Sequence, residues 1–127
     1  MNTTYFKNQI ISDIFKSTLY IGLSSTKPTI DGGNIREPPP ETGYERGVLT
    51  AFSEPEDGII SNTTTIRFNE SLSDWFPENS PAEYYLIFDA AIGGNLLMYD
   101  KFISPITIDM NMIVSIKPIG ITIRLSD

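Results

Sequence analysis

The sequence predicts a mainly β protein, an antiparallel β-sandwich of jelly-roll-like or immunoglobulin-like topology with one N-terminal α-helix. Seven to nine short segments of β-forming residues follow one another, with turn signals at intervals of about 8 to 15 residues. Helical periodicity occurs only at the N-terminus. Because no crossover helices separate the strand segments, a parallel α/β fold is improbable.

The length and composition favour a single folded domain. The chain has 127 residues, of which 40% are hydrophobic and only 20% are charged. Such a composition allows one real core and argues against a disordered segment. We therefore expect one β-sandwich domain over residues 1–127, with an N-terminal helix over 1–17 and an extended loop or arm over 24–43.

The helix is predicted from an apolar stripe within residues 4–16, with Thr3 or Thr4 able to cap its start. The stripe consists of Phe6, Ile10, Ile14, Ile11 and Phe15. In a small sandwich the two sheets cover each other. A lone amphipathic helix then either covers an open end of the sandwich or docks on another subunit. Both interpretations stay open.

The remaining chain has the composition of strands separated by turns. The expected strands cover residues 18–23, 44–52, 59–68 (as one strand, or as two with a break near Ser61 and Asn62), 83–89, 95–101, 105–109, 112–117 and 119–125. In the last one, apolar and polar residues alternate, with Ile119, Ile121, Ile123 and Leu125 on one face. This alternation is typical of a half-buried strand.

The predicted arm is rich in Pro, Gly and Thr and contains "DGG" and "EPPPE". Proline-rich segments are extended and lose little entropy on binding, which suits them to lie on a neighbouring subunit. An ordinary surface loop is the alternative. The candidate subunit-interface residues of the helix and the arm are Tyr5, Phe6, Ile10, Ile14, Glu37, Pro38, Pro39 and Pro40.

The stretch "IFDAAIGGNLLMYD" raises the question of a phosphate-binding loop. Such loops place their glycines between a strand and a helix, where backbone N–H groups converge on the anion. Here a second β-forming segment follows, and no Lys-Ser or Lys-Thr pair is present. Gly93 and Gly94 are therefore predicted to form a hairpin turn, which uses the access of glycine to positive φ.

The residue inventory argues against an enzyme. The chain has no His and no Cys, so ordinary Ser or Cys triads and thiolate metal sites are excluded. Asp31 and Asn34 do not follow the spacing of an EF-hand. Paired carboxylates of a glycosidase are conceivable, but solvated surface acids are favoured. We expect no catalytic, metal or cofactor-binding residues, and no cofactor.

The charge and the aromatic residues limit the partners. Nine Lys and Arg against sixteen Asp and Glu give a net charge of −7, which disfavours nucleic acid and anionic membranes. Trp75, Tyr84 and Tyr85 are candidate glycan-contact residues, although core or strand-edge positions are favoured for them. A receptor-binding module for bacterial surface glycans is thus the alternative function.

Several short elements follow one another along the chain: "LYIGLSSTKPT" (19–29), "DGG" (31–33), "REP" (36–38), "GYER" (43–46), Trp75, "IFDAAIGGNLLMY" (87–99) and "GITIRL" (120–125). Together they resemble small bacteriophage virion proteins of the family labelled as tail-fibre proteins. The resemblance lies in their combination and covers nearly the whole chain. The loops around "EPPPE" and "SDWFPENSPAEYY" are richer in proline than the family pattern.

The resemblance implies a non-enzymatic structural subunit of the phage particle that is present in multiple copies. Its implied partners are other virion proteins and copies of itself, and its implied location is the virion, after assembly in the host bacterial cytoplasm. A tail, fibre or baseplate subunit and a capsid decoration protein are both compatible with it. No catalytic residue is carried over from the family.

Overall fold

The computed structural model of the protein describes residues 3–15, 17–117 and 120–124. It confirms the predicted fold class, because the chain is mainly β, with antiparallel sheets and one N-terminal helix. The elements are α1 (Thr4–Ile14), β1 (Leu19–Ser24), β2 (Gly47–Leu49), β3 (Ile59–Ser61), β4 (Ile66–Arg67), β5 (Ala82–Phe88), β6 (Leu96–Ile106), β7 (Ser115–Ile116) and β8 (Thr122–Arg124). Two single-turn 3₁₀ helices span Pro40–Thr42 and Pro77–Asn79.

The chain divides into two compact units. The unit that we call the helix unit comprises the described residues of Met1–Thr18, Leu49–Ile66 and Ser115–Asp127. The other, the sheet unit, comprises Leu19–Val48 and Arg67–Val114. Each unit is built from segments that are distant in sequence, so long-range pairing defines both of them.

The sheet unit contains a four-stranded sheet in the order β2-β1-β5-β6. β1 and β5 are antiparallel, with Tyr20 opposite Phe88 and Ser24 opposite Tyr84. The apolar residues in the middle of both strands, such as Ile21 and Leu86, are fully buried. The β-branched and aromatic composition of these two segments therefore forms the centre of the sheet.

Strand β6 differs from the prediction, because it continues from the segment expected at 95–101 as far as Ile106, whereas residues 107–109 of the strand expected at 105–109 are not in a strand. The register shifts between β5 and β6, so that Tyr84 lies opposite Lys101 while Ala82 lies opposite Ile106. A bulge in β6 thus takes up the extra residues, including Pro105, which has no N–H to donate to a ladder. The gap expected between residues 101 and 105 is therefore a bulge within a single strand.

The predicted strand over 44–52 is mostly irregular, and β2 keeps only its central three residues. The side chains on both sides of β2 explain the difference. Tyr44 is buried and bonded to β1, and Phe52 makes only an isolated bridge with Asn62. Side-chain contacts thus override the β-propensity of this segment.

In the helix unit, β3 and β8 form an antiparallel pair in which Ile60 lies opposite Ile123. Ile121 and Ile123 are buried and Thr122 between them is exposed, which confirms the predicted alternation for these residues. The predicted positions 119 and 125 lie outside the described residues. β4 and β7 form another two-stranded sheet.

Of the two alternatives for residues 59–68, the structure has two strands with a break after Ser61, where the amide of Asn62 is buried. Asn62 is 1% exposed. Its Nδ2 donates to the carbonyl oxygens of Thr64 and Lys117, each at 3.0 Å, and its Oδ1 accepts from the N–H of Ile121 at 2.9 Å. Asn62 therefore supplies hydrogen bonds to backbone groups near the ends of strands, which a ladder does not reach.

Candidate functional site

Helix α1 is fixed to the turn at Asp57 and Gly58 by polar contacts from its first two turns. The N–H of Gly58 donates to the Oδ1 of Asn8 at 2.7 Å, and the Nζ of Lys7 lies 3.5 Å from the Oδ1 of Asp57. Thr4 also donates to Asp57. These contacts determine which face of the helix remains accessible.

Thr3 caps the helix, as one of the two predicted capping residues, because its Oγ1 accepts from the N–H of Phe6 at 3.2 Å. The helix ends at Ile14, before the predicted end. Only part of the predicted apolar stripe is buried. Ile11 is buried, and Phe15 makes an edge-to-face contact with Phe52 at 4.6 Å between ring centroids.

The helix leaves several of its apolar side chains accessible. Tyr5 is 77% exposed and Phe6 is 51% exposed, while Ile14 is also exposed and Ile10 is half-buried. Of the four candidate interface residues on the helix, three thus lie on the surface. Two adjacent aromatic side chains, Tyr5 and Phe6, are therefore accessible at the start of the helix.

The first half of the arm folds back on itself and is joined at its base to the buried Ser24. The Oγ of Ser24 accepts from the N–H groups of Thr26 and Arg36, at 3.2 and 3.1 Å, and donates to the carbonyl of Thr26 at 2.8 Å. The N–H of Ser25 donates to the carbonyl of Arg36. The arm is therefore an ordered, hydrogen-bonded segment.

The second half of the arm contributes Glu37 to a buried polar cluster. The guanidinium of Arg46 donates to Glu37 with both Nη2 (2.7 Å to Oε1) and Nε (3.0 Å to Oε2). The hydroxyl of Tyr44 also donates to Glu37, at 2.5 Å, and accepts from the N–H of Leu23 at 3.1 Å. A side chain at Gly22 has no room, because its Cβ would lie 2.8 Å from both Glu37 and Tyr44.

The cluster also fixes the turn between β5 and β6. Arg46 lies over the ring of Phe88, 3.4 Å from its centroid, and its Nη1 donates to the carbonyls of Ala90 (2.9 Å) and Gly93 (2.7 Å). Gly93 and Gly94 both have positive φ, as predicted for a turn between antiparallel strands. The turn therefore presents its carbonyl oxygens to a cation, whereas a phosphate loop would present N–H groups to an anion.

Asp89, at the start of the same turn, bonds to Asn95 at its end. Its carboxylate accepts from the backbone N–H of Asn95 at 2.7 Å and from the side-chain amide of Asn95 at 2.9 Å. These hydrogen bonds lower the pKa of Asp89 below its ordinary value. The result is a rigid turn whose tip, Ile92, is 91% exposed.

A groove of about 740 Å³ lies between the arm and this turn. Its lining residues include Pro38, Pro40, Glu45, Asn69 and Ile92. The four candidate interface residues of the arm are placed differently around it, since Pro38 is buried, Glu37 is half-buried, and Pro39 and Pro40 are exposed. Glu37, Tyr44 and Arg46 also line the groove, and both Tyr44 and Arg46 already donate to Glu37.

The glycan-contact candidates do not form an exposed platform. Trp75 is 1% exposed, and its Nε1 donates to the carbonyl of Thr42 at 3.2 Å. It packs edge-to-face against Tyr44 and Phe68. Tyr85 is buried and Tyr84 is half-buried, so these aromatic rings serve the core of the sheet unit.

The electrostatics of the buried phenols suit a structural role. Burial, together with the neighbouring carboxylate of Glu37, raises the pKa of Tyr44 far above its ordinary value. Burial and then the charge of Asp100 raise the pKa of Tyr85 to about 12. Both groups therefore stay neutral near pH 7 and are unsuited to transfer protons there.

Two features of the described residues bear on other kinds of site. Within residues 3–15, 17–117 and 120–124, no group of three or more acidic side chains is arranged to hold a metal ion. In the same ranges, no helix is long and apolar enough to cross a membrane.

Asp31 and Asn34, which the sequence analysis compared with a calcium-binding loop, form hydrogen bonds within the arm. Asp31 accepts from Thr29, and the amide of Asn34 donates to the carbonyl of Lys27.

Sequence reasoning did not identify Arg46 as the residue that joins the arm to the glycine turn. Glu37 and Arg46 are nine positions apart, and the turn is more than forty positions further along. The signal that could have indicated them is the combination of the "REP", "GYER" and "IGGN" segments, which carry an acid, a base and a glycine turn.

Comparisons with known proteins identify the family of the chain. No curated protein matches the chain. One family model matches residues 2–124, and its description is podophage GP4 fiber I protein gp80. The match covers nearly the whole sequence, so the chain belongs to the podophage GP4 fiber I protein gp80 family.

Proposed function

We propose that this protein is a non-enzymatic structural subunit of a phage particle, associated with the fibre or tail, that acts by binding other virion proteins and copies of itself. The family match supports a fibre protein. The observation that carries the proposal is the exposed aromatic pair Tyr5 and Phe6 on a helix that is otherwise firmly bound to its own unit.

Helix α1 is the better supported of the two candidate contact elements. Its buried side, at Ile11, already packs on the helix unit, so Tyr5 and Phe6 contribute little to the stability of the isolated chain. Aromatic side chains with one apolar face exposed are enriched in protein interfaces. Contact with a second virion protein would bury both rings.

The arm supports the same function through its rigidity. Its prolines restrict the backbone, and the bond between Glu37 and Arg46 fixes the segment that precedes Pro38. Little conformational entropy is then lost when the exposed Pro39 and Pro40 contact a partner.

The proposal is tested by the double substitution Tyr5→Ser and Phe6→Ser. Because both residues are exposed, the variant should fold and unfold like the wild type. Its incorporation into particles, measured by mass spectrometry of purified virions, should fall at least about tenfold. Gln9→Ser, at an exposed polar position of the same helix, is the control and should be incorporated normally. Normal incorporation of the double variant would contradict the role of the helix.

A further inference from the structure

A second exposed apolar surface lies in the sheet unit, around Ser71. Its members, which we call the Ser71 patch, are Leu72, Met110, Met112 and Ile113, and they are between 37% and 63% exposed. Contiguous exposed apolar residues mark interaction sites more often than single ones do. Methionine side chains, in addition, adapt their shape to a partner.

The patch is held rigidly by the buried Ser71. The Oγ of Ser71 donates to the carbonyl of Asp109 at 2.5 Å and accepts from the N–H of Met112 at 2.9 Å. The N–H of Ser71 donates to the carbonyl of Met112, and the N–H of Asn111 donates to the carbonyl of Ser71. The turn that carries the two methionines is therefore arranged before any partner binds.

Acidic side chains surround the patch. Glu70, Asp74 and Asp109 are exposed, and Arg67 is the only basic residue in 67–74 and 109–113. Three acids and one base leave this surface with a net charge of −2. Two such patches would repel each other, so the patch suits a partner surface that combines an apolar residue with basic residues.

The arm of this same chain carries such a surface on residues 26–36, the arm turn. Ile30 at its tip is fully exposed. Lys27 and Arg36 on its two sides are exposed, and neither forms an ion pair with any described residue. Asp31 is the only acid in the segment, so its net charge is +1.

The arm turn, like the patch, is held by internal hydrogen bonds. The N–H of Thr29 donates to the carbonyl of Gly33, and the N–H of Gly32 donates to the carbonyl of Thr29, each at 2.9 Å. The Oγ1 of Thr29 accepts from the N–H of Gly33 at 2.8 Å. Ile30 is thus presented on a fixed turn, as an anchor residue of an interface would be.

We infer that the arm turn of one copy docks on the Ser71 patch of a second copy. Ile30 contacts the side chains of the patch, and Lys27 and Arg36 face Glu70 and Asp109. The inference rests on the proposed function, since it specifies how copies of this subunit contact one another. Because the two surfaces differ, the contact is heterologous, and it builds a ring or a filament when repeated.

A charge-exchange experiment tests the pairing. One variant carries Lys27→Glu and Arg36→Glu, and the other carries Glu70→Lys and Asp109→Lys. The wild type should associate with rising concentration in sedimentation velocity, and each variant alone should associate at least about tenfold more weakly. An equimolar mixture of the two variants should regain assembly, because every contact again joins opposite charges. A wild type that stays monomeric, variants that associate normally, or a mixture that fails to assemble would overturn the inference.

The apolar part of the contact has its own matched control. Ile30→Ser should weaken self-association at least about tenfold. Ile103→Ser, at an equally exposed isoleucine of β6 outside both surfaces, should leave it unchanged. Equal effects of the two substitutions would contradict a specific role for Ile30.

Analysis of purified particles separates this inference from the proposed function. If the wild-type protein is incorporated and both charge variants are incorporated equally well, the contact is wrong while the structural role stands. If the wild-type protein is absent from particles, the proposed function itself fails.

Discussion

Arg46 holds Glu37 through two parallel hydrogen bonds, with its Nη2 2.7 Å from Oε1 and its Nε 3.0 Å from Oε2. The same guanidinium bonds the carbonyls of Ala90 and Gly93. One side chain therefore joins the arm to the turn between β5 and β6. The planar fork of arginine is suited to this arrangement, whereas the ammonium group of lysine is not.

Arg46→Ala should lower the free energy of unfolding by about 3 kcal/mol, because it leaves the carboxylate of Glu37 largely buried without its counter-charge. Arg46→Lys should retain only part of the free energy of unfolding that Arg46→Ala loses. Urea unfolding followed by circular dichroism measures both. Arg36→Ala, at an exposed arginine that forms no ion pair with a described residue, should change stability by less than about 0.5 kcal/mol. Equal losses of unfolding free energy in Arg46→Ala and Arg36→Ala would contradict a stabilising role of the contact between Arg46 and Glu37.

The two adjacent glycines of the turn should respond differently to alanine. Both have positive φ, which costs an L-residue about 1 kcal/mol. A Cβ at Gly93 would meet no atom within 4 Å, whereas at Gly94 it would lie 2.5 Å from the Oδ1 of Asp89. Gly94→Ala should therefore cost at least about 1 kcal/mol more than Gly93→Ala in thermal unfolding. The reverse order would show that the turn is not closed by Asp89.

Asn62→Ala should lower the free energy of unfolding by about 3 kcal/mol, because it leaves the N–H of Ile121 and the carbonyl of Lys117 without their partner. Guanidinium unfolding of the purified variant checks this value. Asn69→Ala, at an exposed asparagine, is the control and should be close to neutral. An unchanged free energy of unfolding in Asn62→Ala would mean that water replaces the hydrogen bonds of the amide.

The carboxyl group of Asp89 should titrate below 3.8, its ordinary pKa, because both hydrogen bonds from Asn95 favour the charged form. A lowered pKa in the folded state stabilises the fold above the unfolded pKa. That stabilisation is lost as the pH falls through the folded pKa. Carbon-13 NMR of the side-chain carboxyl group gives the midpoint of its titration directly. A midpoint at or above 3.8 would contradict the hydrogen bonds from Asn95 to Asp89.

Patterns within single segments predicted much of the fold. The helix, its cap at Thr3 and the hairpin at Gly93 follow from local periodicity or from the conformational preferences of individual residues. These features depend on neighbours in sequence, so one sequence is enough to find them.

Contacts between distant segments account for what the sequence analysis missed. The continuation of β6 through Pro105 depends on a bulge opposite Ala82, and the shortness of β2 depends on the burial of Tyr44. The role of Arg46 depends on three segments that meet only in the folded sheet unit. Charge or propensity in any one of these segments does not specify the pairing.

A cryo-EM map of the assembled phage particle tests the structural role most directly. We expect several copies of this protein in the map, with Tyr5 and Phe6 of α1 buried against another virion protein. A particle that lacks the protein, or one in which the aromatic pair of every copy remains in solvent, would contradict the account.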